Sequence, residues 1–165
     1  MKIRKETLNE KQIHLPTYKE IPNVGLYLDQ TSKYINEALQ DVSDCTITNS
    51  MISNYVKKKL IANPVKKQYG RDQIAQLIFI ALTKSAISLE DVAHIFELRK
   101  RNYSCEEAYA YFSKRFEAVM NENDPPKKEE DDLLKGVLEK IISTIVSNIR
   151  LRDLLSKTFG NEIKE

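Results

Sequence analysis

The stretch TITNSMISNYVKKKLIANPVKKQYGRDQIAQLIFI, residues 46–80, decides how this chain is read. It opens on small polar residues, passes six cations (Lys57, Lys58, Lys59, Lys66, Lys67 and Arg71) and ends in an apolar helical pattern. No carboxylate lies between Asp44 and Asp72, although the whole chain has 26 Lys and Arg against 24 Asp and Glu. A formal charge of only +2 argues against a protein that coats nucleic acid over its entire surface. Any basic site must be local, and the rest of the chain must be net negative.

Within this window, Thr48 or Asn49 is positioned to cap a short helix, its side-chain oxygen taking an otherwise unpaired N–H. Met51, Ile52, Tyr55 and Val56 then share one face. Ser50, Ser53, Asn54 and Lys57 share the opposite one, at helical spacings. Ala62 to Gly70 contains Asn63-Pro64 and the Lys66-Lys67 pair, which predicts a loop or small hairpin. Gly70 starts a third helix with Ile74, Leu77, Ile78, Ala81 and Leu82 as its core stripe.

Working outward, residues 1–28 carry Pro16, Pro22 and Gly25 with little periodicity, which predicts an irregular or partly mobile lead-in. A helical domain is expected over 29–120. Its first helix is marked by Tyr34, Ile35, Ala38, Leu39 and Val42 and stops near Ser43. Ser88 to Asp91 is a capping signature for a helix running to about Leu98, and Ser104 to Glu107 repeats it for a helix to about Met120. Asn121 to Lys128, with Asp124-Pro125-Pro126, reads as a linker. Beyond it, 129–165 is expected to hold one long helix to Phe159. Paired apolar residues from Leu133 to Ile149 give that helix a stripe wider than a coiled-coil seam. Such a stripe must be covered, either by the chain's own core or by a second copy in a homodimer through 129–159.

The composition also excludes several classes. Cys45 and Cys105 stand far apart, with neither CxxC nor His-rich spacing, which predicts reduced thiols and no metal site. His14 and His94 have no partners at ligand spacing. No phosphate loop, nucleophile elbow or metal motif is present, so the reading is of a non-enzyme without catalytic residues or cofactor. No stretch approaches the roughly 18 uncharged apolar residues of a membrane span, and no N-terminal apolar leader is seen. A cytoplasmic, mainly helical protein is expected.

The order short helix, turn, helix with a polar outer face, basic loop, helix is that of a winged helix-turn-helix. Outward Ser, Asn and Thr can reach base edges while lysines neutralise phosphates. From Thr48-Asn49-Ser50-Met51-Ile52-Ser53-Asn54-Tyr55 through Leu60-Ile61, Pro64 and Tyr69-Gly70-Arg71 to Ser88–Val92, the sequence resembles the DNA-binding head of mercury-resistance-regulator (MerR) type transcription factors. The similarity covers about 46–98. It implies a recognition helix in the major groove, a wing on the backbone and a C-terminal helix that pairs two subunits. Tyr55 corresponds to the second tyrosine of that group's paired-tyrosine motif, which approaches phosphate. Asn54 replaces the first, Ser50 and Ser53 stand where arginines are usual, and Lys59 replaces a glycine at the helix end. With Ile21-Pro22-Asn23-Val24-Gly25-Leu26-Tyr27-Leu28-Asp29-Gln30 included, the chain is similar to an uncharacterised bacterial family, domain of unknown function 1836, which implies a regulator-like fold.

The expectation is therefore an all-α chain with a winged helix-turn-helix-like, MerR-like head and a long C-terminal helix, binding double-stranded DNA as a transcriptional regulator. Thr48, Asn49, Ser50, Ser53, Asn54 and Lys57 would make up the groove-facing helix. Lys58, Lys66, Lys67, Tyr69 and Arg71 would hold phosphates, with Tyr55 bridging core and backbone. The rival is a protein-interaction module that keeps the fold without DNA. No residue of 99–165 names a small-molecule effector.

Overall fold

Helix α1, Leu28–Ala38, begins where the Gln30 side chain reaches back to the Tyr27 backbone N–H at 3.0 Å. The computed structural model describes residues 12–123, 125 and 131–160. Among these, six helices and no strand are found, only two isolated antiparallel bridges. The chain is all-α.

Helix α1 ends at Ala38, short of the expected Ser43. Leu39 and Val42 nonetheless remain buried, in a turn closed by Val42 N–H donating to the Leu39 carbonyl. Their burial comes from the turn's position over the core, so helical spacing alone extended the prediction too far. Helix α2, Asn49–Lys57, is capped by Thr48, whose hydroxyl accepts from Met51 N–H at 3.1 Å.

Helix α3, Arg71–Thr83, is apolar all round from Leu77 to Leu82 and is accordingly buried on every side there. It is the hub, packed by α1, by α5 (Cys105–Met120) and by α6 (Leu133–Phe159). Phe79 on α3 meets Phe112 on α5 edge-on at 4.9 Å, and Phe96 on α4 (Leu89–Asn102) at 5.9 Å. Helix α4 is Leu89–Asn102, four residues longer than the sequence reading, because Arg99, Lys100 and Arg101 suit the negative end of its dipole. Ser88 and Ser104 cap α4 and α5 through the boxes read in the sequence, Ser88 accepting from Asp91 N–H and Ser104 from Glu107 N–H.

The lead-in is irregular from Gln12 to Tyr27, yet it is pinned. Leu15 and Ile21 are buried in the core. Asn121 exchanges two hydrogen bonds with the Ile13 backbone (2.8 and 2.9 Å), Leu15 N–H donates to Glu117, and Tyr109 O–H donates to the Pro16 carbonyl. The lead-in is thus irregular but held against the core over residues 12–27; residues 1–11 lie outside the described residues. So do residues 124 and 126–128 of the expected linker.

Helix α6 starts at Leu133, capped by Asp132, with Glu129 and Glu130 outside the described residues. Leu134, Leu138, Ile141, Ile142, Ile145, Val146 and Ile149 are buried against the rest of the same chain. Between α5 and α6 sits an ion pair, Arg115 to Glu139 at 2.6 Å, both side chains buried. Tyr111 O–H donates to the same carboxylate, and Arg115 also donates to the Pro125 carbonyl. After Ile149 the helix leaves the core, and Leu151, Leu154, Leu155 and Phe159 are exposed.

Candidate nucleic-acid interface

The interface candidate is built from α2, the hairpin that follows it, and the start of α3. Helix α2 turns Ile52 and Tyr55 into the core and leaves Ser50, Ser53, Asn54 and Lys57 exposed, as its two-sided pattern requires. At its end Lys59 N–H donates to the Val56 carbonyl and Leu60 N–H to the Tyr55 carbonyl. That is a Schellman stop, and it puts Lys59 in the left-handed region at φ 59°.

A two-residue hairpin then closes at the lysine pair. Val65 and Gln68 exchange both backbone hydrogen bonds, at 3.1 and 2.9 Å, with Lys66 at φ 51° and Lys67 at φ 65°. Positive φ at both central residues is the mirror-image turn whose twist suits a hairpin, one that ordinarily uses Asn-Gly. Tyr69 extends the ladder by exchanging backbone bonds with Leu26, at 3.0 and 2.7 Å. A Cβ at Gly25 would stand 2.6 Å from the Gln68 Cβ, so only glycine lets the lead-in lie this close. Gln73 anchors the base: its carbonyl oxygen accepts from Gly70 N–H and its amide donates to the Ala62 carbonyl.

The structure divides the expected contact residues into two sets. Lys57, Lys58, Lys59, Lys66 and Lys67 are exposed, and among the described residues none of their side chains has an ion pair or hydrogen bond. Tyr69, expected on the surface, is buried, and burial pushes its phenol pKa up. Arg71, expected to hold phosphate, donates instead to the Ile21 and Lys19 carbonyls (2.9 and 3.3 Å) and lies 5.3 Å from the Tyr18 ring centre. Both are corrections to the surface reading, and both arise because the lead-in folds back over the start of α3. Tyr55 is also in the core, its pKa raised by desolvation.

Asn49 is committed as well. Its amide donates to Asp29, and its carbonyl oxygen accepts from the Ser32 hydroxyl at 2.6 Å, docking α2 on α1. The window that is free of acids in sequence thus has a carboxylate beside it in space. Asn36 completes this docking by pairing with both backbone groups of Ile47, at 2.9 and 2.8 Å. Sequence reasoning missed Asn36 and Gln73. The three-residue step from Gly70 to Gln73 was a readable capping signal; Asn36 had none, since its partner lies eleven residues away.

No group of three or more His, Cys, Asp or Glu able to hold a metal occurs among the described residues, and no helix there is long and apolar enough to cross a membrane. An apolar cavity of about 50 Å3 lies between α3, α4, α5 and α6, lined by Phe79, Ile95, Phe112 and Leu138. A larger open groove of about 640 Å3 runs beside Arg150, Asp153 and Lys157 and mixes both signs of charge.

The sequence pattern of the family described as Domain of unknown function (DUF1836) matches residues 16–112. That is more than half of the chain, and the chain belongs to this family. The matched region holds the lead-in from Pro16 onward, the lysine window and α3, and leaves α6 outside. No curated protein and no solved structure matches the chain.

Proposed function

We propose that this family member is a DNA-binding transcriptional regulator whose head works as a winged helix-turn-helix of the MerR type, acting in the cytoplasm without catalytic chemistry. Helix α2 enters the major groove with Ser50, Ser53, Asn54 and Lys57 toward base edges. Lys58, Lys66 and Lys67 meet phosphates from the helix end and the hairpin tip. Thr48 and Asn49 hold α2 in place rather than reading bases. Tyr55, Tyr69 and Arg71 support that surface from within.

The observation that carries the reading is the set of five exposed lysines, unpaired among the described residues, around an uncharged Ser/Asn helix face. Fluorescence-anisotropy titration of labelled duplex DNA, including the chain's own upstream region, tests it at about 50 and 200 mM salt, with Lys57→Ala/Lys66→Ala/Lys67→Ala in parallel. Binding should weaken steeply with salt, and the triple variant should lose about 2–3 units of the log–log salt slope. A folded wild-type protein that binds no DNA at the lower salt rejects the proposal.

A protein-interaction module is the second reading. Val24, Tyr27 and Val65 favour it, being apolar or aromatic, exposed, and set along the hairpin ladder. The pairing of two copies expected over 129–159 now falls on Leu151, Leu154, Leu155 and Phe159, since the stripe from Leu134 to Ile149 is covered in cis. Light scattering of Leu154→Ser/Leu155→Ser against wild type reads that pairing directly: a wild-type monomer removes it.

A further inference from the structure

Among the described residues, five that are not glycine have positive φ: Asp44, Lys59, Lys66, Lys67 and Glu122. Three are lysines, and all three fall within the acid-free window. An L-residue pays a steric penalty there because its Cβ crowds the following carbonyl; glycine does not, and asparagine is tolerated through local hydrogen bonding. Lysine has neither advantage. Nor does its side chain recover anything within the chain, since all three are exposed and without a partner among the described residues.

The backbone leaves little choice of conformation at these positions. Lys59 is fixed by the two Schellman bonds, and Lys66 and Lys67 by the paired bonds of Val65 with Gln68. Gln73 clamps the hairpin base, and the Gly25 contact holds its flank. Three ammonium groups therefore project from rigid points that glycine or asparagine would occupy with less strain. Observed strain of this kind, held by surrounding structure and with no internal use, is a pointer to a functional site.

We infer that Lys59, Lys66 and Lys67 form a preset phosphate-contacting triad, kept at conformationally costly positions because their charge is used on the nucleic-acid backbone. This rests on the DNA-binding reading above and adds Lys59, which lies outside the groove-facing helix. It makes the window a place where stability is given up for binding. Relaxing the backbone should make the protein more stable and a poorer binder at once.

The test compares three proteins with wild type. Lys59→Gly/Lys66→Asn/Lys67→Gly removes strain and charge together. Lys59→Gln/Lys66→Gln/Lys67→Gln removes charge alone. Glu122→Gly relaxes the matching left-handed stop at the end of α5, away from the window. The first variant should melt about 2–4 °C higher per position relaxed, and lose about 0.9 of a salt-slope unit for each phosphate contact. The glutamine variant should lose the same slope with no gain in Tm, and Glu122→Gly should keep full DNA binding.

Salt-sensitive wild-type binding that the first two variants retain overturns the triad while leaving the DNA reading in place. A first variant no more stable than wild type overturns the strain argument. Wild type that fails to bind duplex DNA removes the reading and the triad together.

Discussion

The lysine window and the α5–α6 interface treat cations in opposite ways. At the interface Arg115 is buried and matched to Glu139 at 2.6 Å, while Arg150 and Arg152 at the edge reach Glu122 and Asp44. In the window five lysines stand exposed with no partner among the described residues. A buried guanidinium cannot be left alone, because the interior does not replace its hydration; an exposed ammonium can, because water does. The first arrangement is thus a condition of folding. The second is free to be something else.

The largest effect should come from unmatching the buried pair. Glu139→Ala leaves Arg115 charged inside the α5–α6 interface and should cost about 3–5 kcal/mol in urea unfolding. Replacing both partners with Met and Leu should recover most of that. A single-variant cost below about 1 kcal/mol would show that Arg115 escapes to solvent, and the contrast between the two regions would collapse.

Next in size is the response to alkali. Burial pushes the Cys45 thiol up to about 11 and the Cys105 thiol up to about 12, and raises Tyr18 and Tyr109 further. Raised pKa values in the folded state mean that the folded chain holds these protons after the unfolded chain has released them. The associated stability is complete below the ordinary thiol pKa and declines as pH climbs toward the folded values. Unfolding free energy should therefore be level from about pH 6 to 8 in these groups' contribution and fall above about pH 9. Iodoacetamide should modify both thiols slowly until the protein unfolds. Rapid alkylation of the native protein at pH 8 would contradict their burial.

The smallest effect is the most informative about the window. Lys57→Ala/Lys66→Ala/Lys67→Ala should change folding stability by no more than about 0.5 kcal/mol, since alanine relieves none of the left-handed strain and no side-chain hydrogen bond or ion pair among the described residues is lost. If the same variant unfolded at markedly lower denaturant, the lysines would belong to the fold, and their exposure could not be used as an argument about partners.

These contrasts also separate what was readable in the residues from what was not. The helix caps at Thr48, Ser88 and Ser104 were legible because a cap is made within three residues of itself. The two faces of α2 were legible because helical spacing fixes them. Tyr69 and Arg71 were misplaced because their partners, Leu26 for the Tyr69 backbone and Lys19 and Ile21 for Arg71, lie more than forty residues earlier. Asn49 was read as a groove residue because its link to Asp29 crosses from one helix to another.

The left-handed lysines divide the same way. That Lys59 follows a short helix was visible in the residues, but its φ of 59° belongs to the folded backbone. The apolar stripe of α6 was likewise certain from spacing, while its cover was not. Periodicity states which side of a helix avoids water, and any apolar surface satisfies that demand. Only the tertiary structure chose the chain's own α3, α4 and α5 for residues up to Ile149 and left Leu151, Leu154, Leu155 and Phe159 outside. The sequence by itself determined an all-helical chain and an acid-free basic window, because both are local properties of spacing and charge. Which of the polar side chains in that window remain free was decided by contacts across tens of residues, which no local pattern encodes.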